Sequence, residues 1–293
     1  MSERAQCWIN GQLAAGNEAR ISVFDHGLLY GDGVFEGIRF YQGRAFRLHA
    51  HLKRLMDSAA AICLSIPYTQ EVLTQAVADI ITAFAEPEGY LRLIVTRGVG
   101  PLGLNPDNCT QPTVILIADH LSMISDNQRE QGARLIIAST RRLSADGLDG
   151  RIKSLNYLNN ILARMEASRA GVDEAILLNQ NGHVAEGSAA NIFVVRDGQL
   201  FTPHPTDGAL QGITCSVVME LADRRGIPVT VCTLTAYDLY TADECFLTGT
   251  GAELIPVREV DGRPVRYCPG PVFSRLAEAF ADVIDQETGK MSI

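Results

Sequence analysis

The sequence predicts an α+β fold in two domains, a smaller one over residues 1–120 and a larger one over 133–293, joined by a linker at 121–132. Three observations predict it. The first third of the chain mixes short strand signals with two amphipathic helices. The stretch from Asp119 to Gly132, DHLSMISDNQREQG, is polar and lacks a steady period, and directly after it ARLIIAS opens a second apolar region as a strand. With 293 residues, 46% of them hydrophobic, the chain is long enough to bury a core in each part.

The smaller domain begins with CWINGQL, a hairpin turning at Asn10-Gly11, because that dipeptide accepts the positive φ angles of a tight two-residue turn. ISVFDHGLLYGDGVFEGIRFYQGRAFRL follows as strands broken by glycines. Residues 49–63 show helical spacing with Leu52, Leu55, Met56, Ala59 and Cys63 inward, and residues 70–84 with Val72, Leu73, Ala76, Ile80 and Phe84 inward. The stretches 90–96 and 112–118 are apolar enough to be buried strands. Two histidines at 49 and 51 suggest a metal pair, but an i, i+2 spacing on a helix points them to different faces, and no metal site is expected.

The larger domain is organised around residues 151–214. A helix is expected from Ser154 onward, with Leu158, Ile161, Leu162 and Met165 as its core-facing stripe and Arg164, Glu166 and Arg169 opposite, ending at Gly171. Then come a strand at 174–178, a turn at Asn181-Gly182, a returning strand at 183–186, and a further strand at 191–196 that turns at Asp197-Gly198. Gly212-Ile213-Thr214 precedes an amphipathic helix carrying Val217, Val218, Leu221 and Ala222, which stops at Gly226-Ile227-Pro228. After it follow a strand at 227–233, a short helix in TAYDLY, a strand pair around a glycine turn in ECFLTGTGAELIPVREVDG, and a closing helix at 271–284 with Val272, Leu276, Phe280 and Ile284 inward.

Charge and cysteine usage exclude several classes of function. A net charge of −9 without a basic run disfavours nucleic acid or an anionic membrane surface as partner. The seven cysteines are odd in number, scattered, and never form a CxxC pair, which suits reduced thiols in a cytoplasm better than a disulfide framework. MSERAQCWINGQL has no apolar core of signal length and no stretch approaches a membrane span, so the protein is expected to be cytoplasmic.

The chemistry concentrates in the same central stretch. The chain has three lysines; Lys53 and Lys290 lie in polar surroundings, whereas Lys153 follows the apolar Ile152. A lysine amine can lose its proton and form a Schiff base, which a guanidinium cannot. Glu186 ends a strand among the small residues GSAA, and the turn at Gly212 offers free amides at a helix start, an anion site. An amine for the aldehyde, a carboxylate for the pyridine nitrogen and a helix start for the phosphate match the needs of pyridoxal 5'-phosphate. Tyr90 and Arg92, two apart on a strand, share a face and can grip a carboxylate.

In this order and spacing the residues resemble the fold type IV, or class IV, aminotransferase family, from FDHGLLYGDGVFEGIR to FLTGTGAELIPVR, and within it the branched-chain aminotransferases. The resemblance implies a small N-terminal α/β sandwich, a larger barrel-like α/β domain, and pyridoxal 5'-phosphate as cofactor. It makes Lys153 the Schiff-base lysine and Glu186 the partner of the pyridine nitrogen. Arg54, Tyr157, Leu210, Gly212, Ile213, Thr214 and Thr250 would contact the cofactor. Tyr30, Phe35, Gly37, Arg39, Tyr90, Arg92, Arg97, Leu104, Gly251 and Ala252 would form the substrate pocket, Tyr30 and Leu104 serving the neighbouring subunit. The implied assembly is a homodimer with active sites at the subunit interface, able to associate further. The implied reaction is transamination of branched-chain L-amino acids with 2-oxoglutarate.

Sister activities remain open at this stage. Aminodeoxychorismate lyases carry FET where this chain has Phe35-Glu36-Gly37, and D-amino-acid aminotransferases use an Arg-x-His pair, whereas Arg97 is followed here by Gly98 and Val99. No single residue separates the R-selective amine transaminases. The linker lacks the tyrosine or tryptophan that branched-chain enzymes often place there. A protein that binds a phosphorylated ligand without turnover is the non-enzymatic alternative.

Overall fold

The computed structural model describes residues 4–121 and 130–289. The linker expectation at 121–132 falls mostly on residues outside that set. Contacts divide the chain into two units, one of residues 1–121, 152–156 and 284–293, the other of 122–151 and 157–283. The architecture is mixed α+β, as the sequence predicts.

The first unit is built on a six-stranded antiparallel sheet in the order β2-β1-β6-β5-β3-β4. Its strands are β1 (Gln6–Ile9), β2 (Gln12–Ala15), β3 (Gly33–Tyr41), β4 (Arg44–Ala45), β5 (Gly89–Thr96) and β6 (Thr113–Asp119). β1 and β2 form the expected hairpin, with φ of 46° at Asn10 and 94° at Gly11. Helices α2 (Leu48–Ala61) and α3 (Gln70–Phe84) supply the core, where Leu52, Leu55, Leu73 and Ile80 meet Ile38, Phe40, Leu91 and Leu93 of the sheet. α2 starts at Arg47 without a side-chain cap. That deficit costs about 1 kcal/mol. Burial of Leu52 and Leu55 contributes roughly 3–6 kcal/mol, so packing rather than capping holds the helix.

The segment from 152 to 156 belongs to this unit because it pairs with the β3 edge. Phe35 N–H donates to Lys153 O at 2.9 Å, Leu155 N–H donates to Gly33 O at 2.9 Å, and Val34 bridges Ser154. Ser154 N–H also donates to Ile152 O at 2.9 Å, so Lys153 is the central residue of a tight γ-turn beside β3.

The second unit is a curled, half-barrel sheet of nine strands, β12-β11-β10-β13-β14-β7-β8-β9 with β15 on β14. In chain order these are β7 (Ala133–Ile137), β8 (Glu174–Leu178), β9 (Val184–Gly187), β10 (Asn191–Arg196), β11 (Gln199–Pro203), β12 (Val229–Cys232), β13 (Glu244–Gly249), β14 (Glu253–Val260) and β15 (Arg263–Pro264). The pairs β7/β8, β7/β14 and β11/β12 are parallel, the others antiparallel. Around the sheet run α4 (Leu158–Arg169), α5 (Ile213–Arg224), the short α6 (Ala236–Tyr240) and α7 (Pro271–Thr288). Phe193 stacks on Phe246 at 5.1 Å and Phe246 meets Phe273 edge-on at 5.5 Å. Buried Glu244 accepts hydrogen bonds from the N–H groups of Val272 and Phe273, satisfying the first turn of α7. Among the described residues no helix is long and apolar enough to cross a membrane.

Four local expectations are corrected. The helix after Lys153 opens at Leu158, because Ser154 and Leu155 are engaged with β3. Its apolar stripe faces outward: Leu158, Ile161, Leu162 and Met165 are 43–67% exposed, while Asn160, Ala163 and Ala167 pack inward. The small alanines let α4 lie close on β8, where Ala138, Ala163, Ala167, Ala175 and Leu177 form one cluster. Val72 and Cys63 are exposed rather than inward; α2 ends at Ala61, and Cys63 has a φ of 52°. The glycine-broken strand region opens with a short helix, α1 (His26–Tyr30), whose N-cap is the buried Asp25.

Candidate functional site

In the first unit the lysine lies among residues of β3 and β5. Lys153 Nζ is 4.6 Å from the centre of the Phe35 ring, and its backbone N–H donates to Ser58 Oγ at 3.2 Å. The Arg92 guanidinium is 4.5 Å from the same ring and 5.5 Å from the Tyr90 ring. Such distances give cation–π attraction. In the sheet register Gly37 lies opposite Arg92, and Arg39 opposite Tyr90. A Cβ on residue 37 would stand 1.9 Å from the Tyr90 hydroxyl, so glycine there makes the room the phenol occupies. Burial pushes the Tyr90 phenol up, and Arg92 works against that, so at neutral pH the hydroxyl carries its proton and can donate. Arg39 lies 5.3 Å over the Tyr41 ring.

Behind this face sits a buried ionic cluster. Glu36 receives both arms of Arg54, Nε to Oε1 at 2.7 Å and Nη2 to Oε2 at 2.8 Å, and His51 Nδ1 at 2.8 Å. Burial alone would raise the Glu36 carboxyl, but the hydrogen bonds and charge of Arg54 and His51 override it and hold it at about 2. Burial pushes His51 down in spite of Glu36. His51 is thus the neutral donor and Arg54 the counter-charge. His49, two residues earlier on the same helix, is exposed.

The Tyr30 hydroxyl accepts from Gly103 N–H at 3.0 Å, next to Leu104, which is 80% exposed. Arg97, expected in the substrate pocket, has its partners within the first unit. It is buried, grips Asp32 with Nε and Nη2 at 2.9 and 3.0 Å, and donates to the carbonyls of Ile62 and Cys63 at 2.8 Å each. A guanidinium held on two sides in this way ties the end of α2 to β5.

The second unit carries the carboxylate and the helix start. Glu186, on β9 and 6% exposed, receives Leu210 N–H on Oε2 at 2.9 Å and Arg142 Nη2 on Oε1 at 3.0 Å. Asn191 Nδ2 donates to Leu210 O at 2.8 Å, and a Cβ at residue 212 would stand 1.9 Å from Asn191 Oδ1, so the approach of β10 to this turn requires Gly212. Gly212 caps α5 with its backbone only, which leaves the amides of Ile213 and Thr214 facing the helix start with no side chain from the cap residue on them. Thr214 is buried; Thr250 and Gly251 are half-buried in the turn between β13 and β14, with Ala252 buried beside them. Thr248 Oγ1, fully buried at the end of β13, has no hydrogen-bond partner among the described residues. Tyr157 occupies the N-cap position of α4 and is half-buried.

A family model for class IV aminotransferases matches residues 33–260. The chain belongs to the class IV aminotransferases. It is 48% identical over 277 residues to a putative branched-chain-amino-acid aminotransferase of Methanocaldococcus jannaschii, covering 94% of this chain and 95% of that one. It is 36% identical over 289 residues to the branched-chain-amino-acid aminotransferase of Escherichia coli K12, covering 96% and 93%. Among solved structures, the Escherichia coli branched-chain amino acid aminotransferase superposes with a TM-score of 0.93 at 35% identity, covering 98% of this chain and 97% of that one. A T.th. branched-chain amino acid aminotransferase complexed with N-(5'-phosphopyridoxyl)-L-glutamate gives 0.90 at 38% identity, covering 98% and 95%.

Class IV aminotransferases use pyridoxal 5'-phosphate. The residues present fit that cofactor on their own chemistry: α5 opens on backbone alone, Thr248 keeps a buried hydroxyl without a partner among the described residues, and Glu186 is held against a guanidinium that favours its anion. Sequence reasoning did not single out Glu36, Ser58, Arg142 or the role of His51. Glu36 had a usable signal, since it stands within the FEGIR stretch already marked, eighteen residues before Arg54. Arg142 had none, because RRLS offers neither periodicity nor a motif and its contacts are made across long sequence separations.

Proposed function

We propose that this aminotransferase exchanges amino groups between branched-chain L-amino acids and 2-oxoglutarate. One observation carries the reading: the Arg92 guanidinium and the Lys153 amine lie 4.5 and 4.6 Å from the Phe35 ring, with Tyr90 beside Arg92 and Gly37 making room for its phenol. A cation and a phenolic donor suit a substrate carboxylate. The apolar ring beside them suits an aliphatic side chain. The relatives' activity supports the same substrate class, and the glutamate adduct held by the T.th. enzyme supports the 2-oxoglutarate and glutamate couple.

Pyridoxal 5'-phosphate, when bound, supplies an aldehyde that exchanges amino groups and a ring that takes up the electron pair of the broken Cα–H bond. Lys153 would be the residue that holds that aldehyde, and its amine, once free, would take the proton from the substrate Cα and return it. Glu186 would partner the ring nitrogen and Tyr157 the ring hydroxyl. Arg54, the α5 amides at Ile213 and Thr214, and Thr250 are the groups that would hold the phosphate, with Leu210 and Gly212 shaping the turn. Glu36 fixes the plane of Arg54 for that task. Phe35, Gly37, Arg39, Tyr90 and Arg92 contact the substrate, and Gly251 and Ala252 offer it backbone groups.

The active form is a homodimer to which Tyr30 and Leu104 contribute across the interface. The exposed apolar residues Leu102 and Leu104 beside Tyr30, and the outward stripe on α4, support an interface of this kind. Seven free cysteines support a reducing, cytoplasmic setting. The test is a half-reaction on the purified protein, following visible absorbance while adding L-leucine, D-alanine and R-1-phenylethylamine separately. Conversion with L-leucine alone is expected. Conversion only with D-alanine or the amine would reassign the pocket, and absence of a visible band would leave a ligand-binding protein.

A further inference from the structure

Glu186 does not stand alone in its unit. Arg142 reaches Oε1 at 3.0 Å with both side chains nearly buried, 12% and 8% exposed. The guanidinium is fixed from behind: Nε donates to Gly208 O at 2.9 Å and Nη1 to Asn160 Oδ1 at 3.0 Å, while Asn160 Nδ2 donates to Ser188 O at 2.8 Å. Its backbone N–H donates to Leu178 O at 2.8 Å. The chain just before it is clasped by Glu166, which accepts from the backbone and hydroxyl groups of both Ser139 and Thr140. So many fixed contacts on one arginine exceed what a mere filler of space needs, and they aim one arm at one carboxylate oxygen.

We propose that Arg142 is a positioning residue that holds Glu186 as a carboxylate and thereby keeps the shared proton of the Glu186–pyridine pair on the cofactor's ring nitrogen. This rests on the assignment of Glu186 to that nitrogen made above. One proton and two sites are involved: it resides on the nitrogen, leaving pyridinium and carboxylate, or on the carboxyl, leaving two neutral groups. Arg142 attracts the carboxylate at direct contact and repels the pyridinium from at least one further hydrogen-bond length, so its net effect favours the first arrangement. The Cys215 thiol, which also feels Glu186, is pushed up to about 12 chiefly by burial and further by Glu186, so it is neutral and supplies no charge.

The test is nitrogen NMR of the holoenzyme loaded with ring-15N pyridoxal 5'-phosphate, across about pH 6 to 9. The wild-type protein is expected to keep the pyridinium signal. Arg142→Met is expected to move the signal toward pyridine, its midpoint falling by about 1–3 pH units, and Arg142→Lys to restore most of the pyridinium, which a packing role would not. Should Arg142→Met fail to fold, Arg142→Gln keeps an N–H donor without the charge and carries the same expectation. Glu186→Gln is the reference. Loss of pyridinium in Glu186→Gln but not in Arg142→Met or Arg142→Gln overturns the role of Arg142 alone. Retention of pyridinium in Glu186→Gln overturns the assignment of Glu186 as well.

Discussion

Gly37 sits in the middle of β3 with ordinary strand angles, so its backbone accepts any residue, and Gly37→Ala costs nothing there. The cost lies across the strand pair. A Cβ at 37 would meet the Tyr90 hydroxyl at 1.9 Å and Cζ at 2.7 Å, and real Cβ contacts stay beyond 3.0 Å, so the phenol oxygen must withdraw by about 1.1 Å. The strand itself cannot give, because β3 and β5 are paired continuously from Gly33–Thr96 to Phe40–Gly89. The displacement therefore falls on the Tyr90 side chain. A misplacement of roughly 1 Å in a group that grips substrate costs up to about 100-fold, or about 2.7 kcal/mol. Gly37→Ala should thus lower kcat/KM for the keto acid by about 10- to 100-fold, mainly through KM, with the absorbance of the bound cofactor unchanged. A double-mutant cycle with Tyr90→Phe isolates the cause. If the loss comes from the phenol, Gly37→Ala should cost much less in the Tyr90→Phe background. A Gly37→Ala enzyme within about 2-fold of wild type, or a strictly additive cycle, would refute this account of the pocket.

Three further outcomes are expected. Lys153→Ala should keep its circular dichroism, lose the covalently held cofactor and fall in activity by at least about 1,000-fold; retained turnover would remove the lysine from the chemistry. Glu36→Gln should destabilise the protein near neutrality by on the order of 3 kcal/mol, and the difference from wild type should shrink as pH falls from about 4.5 toward about 2. The sign follows from a folded carboxyl held below its unfolded value: its stabilisation is present above the unfolded pKa and is lost as pH drops through the folded one. Denaturant titrations at several pH values read it, and a pH-independent difference would contradict the ion pair. Ile161→Asp, on the outward face of α4, should raise the dissociation constant of the proposed dimer at least about 100-fold by sedimentation while leaving the monomer folded; an unchanged association state would put the interface elsewhere.

The readable parts of this chain are those whose signal is local. The Asn10-Gly11 hairpin, the strand of Tyr90 and Arg92, and the glycine turn before α5 each follow from a few adjacent residues whose backbone preferences admit one geometry. The parts that escaped depend on partners far along the chain. Arg97 has the chemistry of a carboxylate ligand, and only the fold reveals that Asp32, sixty-five residues earlier, already occupies it. Arg142 is silent in sequence for the same reason, its partners lying on β9, on α4 and at Gly208. Lys153 was legible as chemistry but not as structure: the segment's pairing with β3 wins over the helical period that begins a few residues later.

The α4 stripe shows a different kind of misreading. The period was correct, since Leu158, Ile161, Leu162 and Met165 do share one face, yet that face points away from the sheet and alanines take the inner side. Hydrophobic periodicity reports which face avoids water; it does not say what excludes the water. When small residues pack inward and large apolar ones stay exposed on a protomer, the side chains suited to a core are supplied to a surface. Four such residues on one helix are more than scattered exposure requires. A second copy of the chain would satisfy them, which makes the mistaken direction of the stripe an argument for the dimer rather than a failure of the pattern.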